Sequence, residues 1–507
     1  MARSSELLVL PIALPIAAAF LMPVVANVQA SLARWLGIAV VVAALGVAAM
    51  LAVDIAQSGP LVAALGGFAP PLGITLYADG ISITLLIALL AGGLLFWAAS
   101  PGDNVRSHVL MVLLMGAGSG LALSGDLFNL FVFYEITAVA SYGLVAGRGS
   151  GAEAGAALRY LIVGTLGSSL ALLGIALVYA STGTLNLADI ARLAPERLAG
   201  VTGMAAFLLL VLGFGVKAEL TPVNTWVPEV YATASARVAS LLAGIVSKLA
   251  IVIVMRIVVL AFPGEQAREL LLVLGIAGVV AGEFAALGSA TLIQALSYSS
   301  VSQLGLVAIA FAISGTAGVA AGLALALHHA LVKPAFFMLA ANWRGPIDGL
   351  AGAAKATPVA AAVFVFLALS IVGVPPLPGF WAKYLLVTAA LAKASPLVLL
   401  AIAVVLAAVV VEAAYMFRIA VALYGQPAPE RSGPAILRGD LARATLLAAG
   451  LAVVTLTAPA VLDAIHRMAA VASDRDAYIA HVLPERGARA ALSVSVGVDQ
   501  RTERSIP

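Results

Sequence analysis

The sequence predicts an all-α polytopic membrane protein of about 14 transmembrane helices. Three observations predict it. Of 507 residues, 63% are hydrophobic and only 10% charged, with a mean hydropathy of +1.11; soluble domains carry roughly 25% charged residues. Apolar runs of roughly 18 residues or more, each able to cross about 30 Å of hydrocarbon, recur along nearly the whole chain. Several of these runs carry an ionisable residue at their middle, where a charge costs about 2.5–3.5 kcal/mol or more and is retained for a use.

Taken in order, the runs lie near 6–28, 35–53, 79–99, 107–124, 127–147, 156–181, 201–223, 234–261, 269–291, 296–313, 316–342, 358–389, 395–424 and 441–465. The remainder is a loop near 54–78 and a polar tail after His466. The first run follows Arg3 alone as a basic residue and lacks a small-residue cleavage site, so it reads as a retained span. Asp126 precedes the fifth run and reads as its N-cap.

The runs fall into four blocks. Residues 1–106 hold the first three spans, 107–261 a first set of five, 269–424 a second set of five, and 425–507 the last span with the polar tail. Both sets of five are interrupted in their fourth span, by VKAELTPVNTWVP in the first and IVGVPPLPGFWAK in the second. Pro222, Pro228, Pro375, Pro376 and Pro378 remove backbone donors. Unwound backbone at membrane depth persists only where it is buried in protein or lines a polar cavity. Broken helices at matching places in two halves point to a transport site.

Net charge is +3, and the basic residues are loop arginines without interleaved aromatics, which excludes a nucleic-acid partner. Cysteine is absent, so the chain offers no disulfide, thiolate metal site or iron–sulfur ligation, and no quinone, flavin or nucleotide motif appears. No metal, no cofactor and no catalytic residue is expected. Arg34, Arg106, Arg148, Arg237, Arg344, Lys355, Arg431, Arg438 and Arg443 fall in alternate connections, against Arg192, Arg197, Arg268 and Lys393 in the others. The richer side is expected to be cytoplasmic, with both termini outside.

The candidate proton-transfer residues are Glu135, Lys217, Lys248, His329, Lys333 and Lys383. Glu135 lies in LFNLFVFYEITAVA, among apolar and aromatic neighbours, and Lys217 is its natural partner from another span. A static pair joining two helices is the alternative. Lys248 lies well inside VASLLAGIVSKLAIVIVM, too deep for snorkelling to be the first reading. His329 and Lys333 are four apart and share a helix face, and histidine titrates near neutrality, which suits a relay between lysines. Secondary candidates are His328, Glu219, Ser302 and Glu283. Glu219, two positions from Lys217, points about 200° away on a helix and is expected nearer a cavity mouth. His328 and His329 diverge by about 100°, so they make a poor metal pair. Ser297, Ser299, Ser300, Ser302 and Gln303 form a hydrophilic face suited to water, and Glu412 ranks below the main series.

DLFNLFVFYE (126–135), KAELTPVNTWVPEVY (217–231), VASLLAGIVSKLA (238–250), LSYSSVSQLG (296–305), HHALVKPAFF (328–337) and GVPPLPGFWAKYLL (373–386) together resemble one family. It is that of the antiporter-like subunits shared by Mrp-type Na+/H+ antiporters, respiratory complex I and membrane-bound hydrogenases. Within it the chain is most similar to the D subunit of Mrp antiporters. The resemblance implies fourteen helices with two inverted five-helix repeats, each containing a broken helix. It also implies that Glu135 matches the family's glutamate and Lys217 its partner lysine. Lys248 matches the lysine of the eighth helix, His329 the histidine of the eleventh and Lys383 the lysine of the broken twelfth. Two segments depart from the pattern: ATLIQA before LSYSS lacks the usual acidic and basic residues, and ATASARV replaces a proline-rich turn.

The expected function is that of a proton-translocating subunit in a multi-subunit Na+/H+ antiporter, not an enzyme. It would sit in the lipid bilayer of a bacterial or archaeal cell (inner) membrane beside other membrane subunits, moving H+ against Na+. The alternatives are a proton-pumping membrane subunit of a hydrogenase- or complex I-like redox complex, and an ion-coupling module for a soluble partner.

Overall fold

The computed structural model describes residues 5–97, 104–147, 149–426 and 437–483. Arg148 and Arg431, two arginines behind the expected orientation, lie outside the described residues, as does the tail from 484 onward.

The chain begins with α1 (Leu10–Val28) and α2 (Ala30–Ser58), then a two-stranded ribbon of β1 (Leu61–Ala64) and β2 (Thr75–Ala78), then α3 (Gly80–Leu95). The ribbon is antiparallel, pairing Leu61 with Ala78 and Ala64 with Thr75. It occupies most of the segment read as a plain loop: two four-residue strands are too short for alternation to stand out in sequence. A first run of five follows: α4 (Val105–Leu123), α5 (Leu127–Val145), α6 (Gly151–Thr182), then the broken fourth member, then α10. A short helix, α7 (Leu187–Arg197), precedes the broken member, which is α8 (Val201–Gly215), an unwound stretch and α9 (Val227–Thr233). The fifth is α10 (Ala236–Ala261), with π-helical turns at Leu242–Val246 and Ile257–Ala261. The second run is α11 (Glu265–Leu287), α12 (Leu292–Ala312), α13 (Thr316–Ala340), the broken α14 (Pro358–Val372) and α15 (Pro378–Leu391), and α16 (Pro396–Tyr424). The chain closes with α17 (Arg438–Leu456), α18 (Ala458–Ser473) and α19 (Arg475–Val482).

Among the described residues, eleven helices are long and apolar enough to cross a membrane, and the shorter apolar α3, α8 and α14 complete the fourteen expected segments. Their starts follow capping chemistry. The side chains of Asp79, Asp126, Thr291 and Ser395 accept first-turn amides, and Ser150 with Glu153 forms a full capping box. α10 and α12 are buried along almost their whole length and form the centre, whereas α2, α16 and α17 are mostly at the periphery. Phe20, Val28, Val410, Phe417 and Val421 are exposed on the outer helices.

Two expectations are corrected near the end. The last span is expected over 441–465, but α17 stops at Leu456 and the chain bends at Thr457 before the proline-initiated α18. Together α17 and α18 run beside α13 from one end, where Asn342 Nδ2 donates to Asp440 Oδ2 at 3.2 Å, to the other, where Thr316 and Ser473 hydroxyls are 2.9 Å apart. The bend leaves a lateral apolar cavity of about 750 Å³ walled by Leu327, His328, Trp381, Leu447, Leu451 and Val461. The residues after His466, expected to be polar tail, continue as helix to Ser473 and then form α19. α19 docks on the ribbon: Tyr478 meets Tyr77 edge to face at 4.6 Å, and Arg475 donates to Ala191 O. Beneath this cap Arg256, at the end of α10, donates to Asp79 Oδ1 at 2.9 Å and Ser82 Oγ at 2.8 Å.

Candidate functional site

Breaks in the two fourth helices place Lys217 and Lys383 of the candidate series. Lys217 follows the end of α8, only 1% exposed, and its ammonium has no hydrogen-bond partner. It lies 3.5 Å from the ring centre of Tyr134 and 5.9 Å from that of Tyr142, both one helix away on α5. A desolvated ammonium on an aromatic face gains about 2 kcal/mol. The Tyr134 ring is fixed in turn by its hydroxyl, which donates to Gly213 O at 2.9 Å, and by Phe214 edge to face at 5.1 Å. Glu135 is an electrostatic neighbour of Lys217, and its Oε1 is held by the Ser168 hydroxyl of α6. The expected pair is therefore close without a direct ion contact, with aromatic faces holding the lysine.

Glu219 differs most from its expected position. It is completely buried rather than near a mouth. The helical offset of about 200° does not apply, because the stretch after α8 is unwound and Glu219 itself has a φ of 57°. The peptide bond from Thr221 to Pro222 beside it is cis. Glu219 Oε1 accepts from the Tyr231 hydroxyl at 2.6 Å, Oε2 has no partner, and Lys248 and Lys333 are its electrostatic neighbours. The acid thus faces the centre, between the first break and the lysines beyond it.

Lys248 sits just past the first π turn of α10, 1% exposed. That turn brings the Ala243 carbonyl within reach of its ammonium, which also donates to Ser247 Oγ at 3.1 Å. π turns recur at functional sites. Here the turn also admits α13: a Cβ on Gly244 would lie 2.3 Å from Pro334, so only glycine allows the approach. Ser240 Oγ donates to Pro334 O at 3.0 Å across the same contact.

On α13, His329 is 1% exposed and neither ring nitrogen has a partner. Its electrostatic neighbours are Lys248, Lys333 and His328. Buried polar atoms without partners mark places for water or an ion. Lys333, fully buried, donates to Leu296 O at 3.0 Å. His328 points elsewhere, with Nε2 3.0 Å from Ser370 Oγ and its ring on the wall of the apolar cavity.

At the second break Lys383 donates to Ile371 O at 2.7 Å and Val372 O at 3.1 Å, carbonyls freed where α14 ends. Its third contact is an ion pair with Glu412 Oε2 at 2.6 Å. Glu283 is 3% exposed and accepts from Ser302 Oγ at 2.6 Å. Their proximity follows from small-residue packing of α11 on α12, since a Cβ on Gly282 would lie 2.6 Å from Ser302 N. Ser299, Ser300 and Tyr415 present further buried hydroxyls without partners.

The structure therefore draws Lys217, Glu219, Lys248, His329, Lys333 and Lys383 into one buried polar series across the centre, with Glu135 at one end and Glu283 near the other. His328 stands off this series. Among the described residues no group of three or more His, Asp or Glu residues is arranged to hold a metal ion. Sequence reasoning underrated Glu412, read Gln303 only as part of a water-lining face, and missed Tyr134. Glu412 carried the same signal as Glu135, an acid inside a long apolar helix; the roles of Tyr134 and Gln303 exist only through tertiary neighbours.

Comparisons with known proteins bear on the same segments. Residues 124–410 match the family described as NADH:quinone oxidoreductase/Mrp antiporter, TM. The N subunit of the NADH-quinone oxidoreductase of Desulforudis audaxviator is 33% identical over 77% of this chain and 82% of its own length. The D subunit of the Na+/H+ antiporter of Alkalihalophilus pseudofirmus is 32% identical over 76% and 81%. Among solved structures, a chain of the archaeal membrane-bound sulfane sulfur reductase matches with a TM-score of 0.86 at 30% identity, covering 94% of this chain and 99% of that one. A chain of the Mrp complex from a Dietzia species matches with 0.87 at 26%, covering 95% and 100%. D-type and N-type relatives stand at nearly equal identity, so similarity does not separate them, and both agree with a multi-span transport subunit of a larger membrane complex. With the family model spanning both broken helices and every candidate of the buried series, the chain belongs to the NADH:quinone oxidoreductase/Mrp antiporter family of membrane proteins.

Proposed function

We propose that this chain is the proton-translocating, D-type subunit of a cation/proton antiporter of the Mrp kind. Protons pass along Glu135, Lys217, Glu219, Lys248, His329, Lys333 and Lys383 and are exchanged against Na+ by the assembled complex. The observation that carries the reading is the unbroken burial of the ionisable groups from Lys217 at one helix break to Lys383 at the other, with Lys217, Glu219 and His329 each retaining a polar atom that has no protein partner. Buried charges without partners are costly, and a membrane protein retains them where ions move. Water in those places completes hydrogen-bonded links between neighbouring groups. The five-helix runs, 107–261 and 269–424, act in this reading as inverted halves, each contributing one break and one half of the path.

The near-equal likeness to an N-type subunit favours one alternative, in which the same path is driven by electron transfer in other subunits. The discriminating experiment purifies the complex through a tag on this chain and assays it in sealed vesicles. Added Na+ should dissipate a preformed ΔpH without any redox substrate. Proton movement that instead requires an electron donor and acceptor would replace the antiporter reading with the redox-driven one.

A further inference from the structure

Lys217 and Lys383 occupy the breaks of corresponding helices, yet their acids come from different places. In the first run the acid is Glu135 on the second helix, eight residues after Leu127. At the same offset from Leu292 the second helix of the second run carries Ser300. There the acid is Glu412, on the fifth helix α16. It is 1% exposed, with Oε2 on Lys383 Nζ at 2.6 Å and Oε1 accepting from Gln303 Nε2 at 2.8 Å. A second carboxylate, Glu283, is its electrostatic neighbour. Glu283 Oε1 accepts from Ser302 Oγ, while Oε2 is buried with no partner. Ser302 and Gln303 are consecutive on α12, so one helical turn holds both acids. The other groups acting on Glu283 are Lys383 on α15, Lys333 on α13 and, on α16, the buried Tyr415 hydroxyl, which has no hydrogen-bond partner.

We propose that Glu283 and Glu412 form a carboxylate pair that carries a single proton at the second break and controls release from Lys383. Two buried carboxylates side by side repel when both are ionised, and such pairs share one proton. While Glu412 is ionised and paired with Lys383, the proton resides on Glu283. When the O–H bond of Glu283 breaks and one forms on Glu412, directly or through a water at the open Glu283 Oε2, Lys383 loses its counter-ion. The ammonium then gives its proton to water at the break, Glu412 passes its own proton to the neutral amine and so restores the ion pair, and the negative charge left on Glu283 accepts the next proton. This deepens the proposed function and rests on its proton path.

The test uses the tagged complex in vesicles, with Lys217→Ala as the control for the path itself. Glu283→Gln keeps the shape and the Ser302 hydrogen bond but cannot release a proton. It should lower transport roughly tenfold or more at unchanged complex abundance, and Glu283→Asp should restore part of it. The infrared difference between wild type and Glu283→Gln should contain one carboxylic-acid C=O band. Full transport by Glu283→Gln over roughly pH 6 to 9, in a complex that Lys217→Ala inactivates, overturns the pair while leaving the path standing. Absence of the carboxylic-acid band also overturns it. If Lys217→Ala is silent, the path fails and the pair with it.

Discussion

Tyr134 offers the sharpest single perturbation of the first break. Lys217 has no hydrogen-bond acceptor and depends on the ring 3.5 Å away. Tyr134→Phe keeps that face but loses the hydroxyl's bond to Gly213 O, worth about 1 kcal/mol. Tyr134→Leu loses the face as well, removing a further contribution of about 2 kcal/mol from a desolvated cation on an aromatic ring. Since 1.4 kcal/mol is a factor of ten, the face alone corresponds to roughly a thirtyfold loss in the population with Lys217 correctly held. Vesicles carrying the complex, loaded with a ΔpH and challenged with Na+, should respond within a few-fold of wild type for Phe, and roughly thirtyfold more slowly for Leu than for Phe. Thermal unfolding of the purified complex separates misfolding from lost function. Equal impairment of both variants, or normal transport by Leu, refutes the argument that the ring holds the ammonium.

Lys217→Ala and Glu135→Ala should each abolish coupled transport in an assembled complex, and the double variant should be no worse than either, because both remove one shared step; additive losses in the same assay argue against coupling. His329→Ala should slow transport strongly, whereas His328→Ala, which sacrifices only the Ser370 contact and cavity wall, should retain most of it; the two rates measured side by side decide. Arg256→Leu strands Asp79 beneath the cap and should destabilise the chain by about 3–5 kcal/mol, read as lower membrane abundance and unfolding temperature, with partial recovery when Asp79→Asn is added.

The helix count was legible because apolar runs of membrane length leave few alternatives, and the two breaks were legible because proline removes donors wherever it stands. Glu135, Lys217, Lys248 and Lys383 were visible because a charge inside an apolar run announces itself. Directions were less legible. Glu219 was placed by helical geometry, and the helix ends before it, so the angle was computed on a backbone that is not there. Lys217 was assigned to Glu135 on charge alone, but an ammonium also finds aromatic faces, and which of two adjacent residues on α5 it meets is decided by packing. Glu412 was visible yet underrated, since its partner lies across a helix contact that no local pattern encodes. The ribbon and the bend at Thr457 were hidden because strands of four residues and a single turn barely alter hydropathy.

The docking of α19 on the ribbon ties the beginning of the chain to its last described helix. Tyr77 and Tyr478 meet although nearly the whole polypeptide separates them, and Arg475 reaches α7 at the same face. A contact of such long sequence separation closes only after the intervening crossings are in place. The ribbon precedes its partner helix by most of the sequence, so this contact is among the last that the order of the chain allows to close. A chain with one crossing missing would carry α19 to the opposite face from the ribbon and leave Tyr77 without its ring partner.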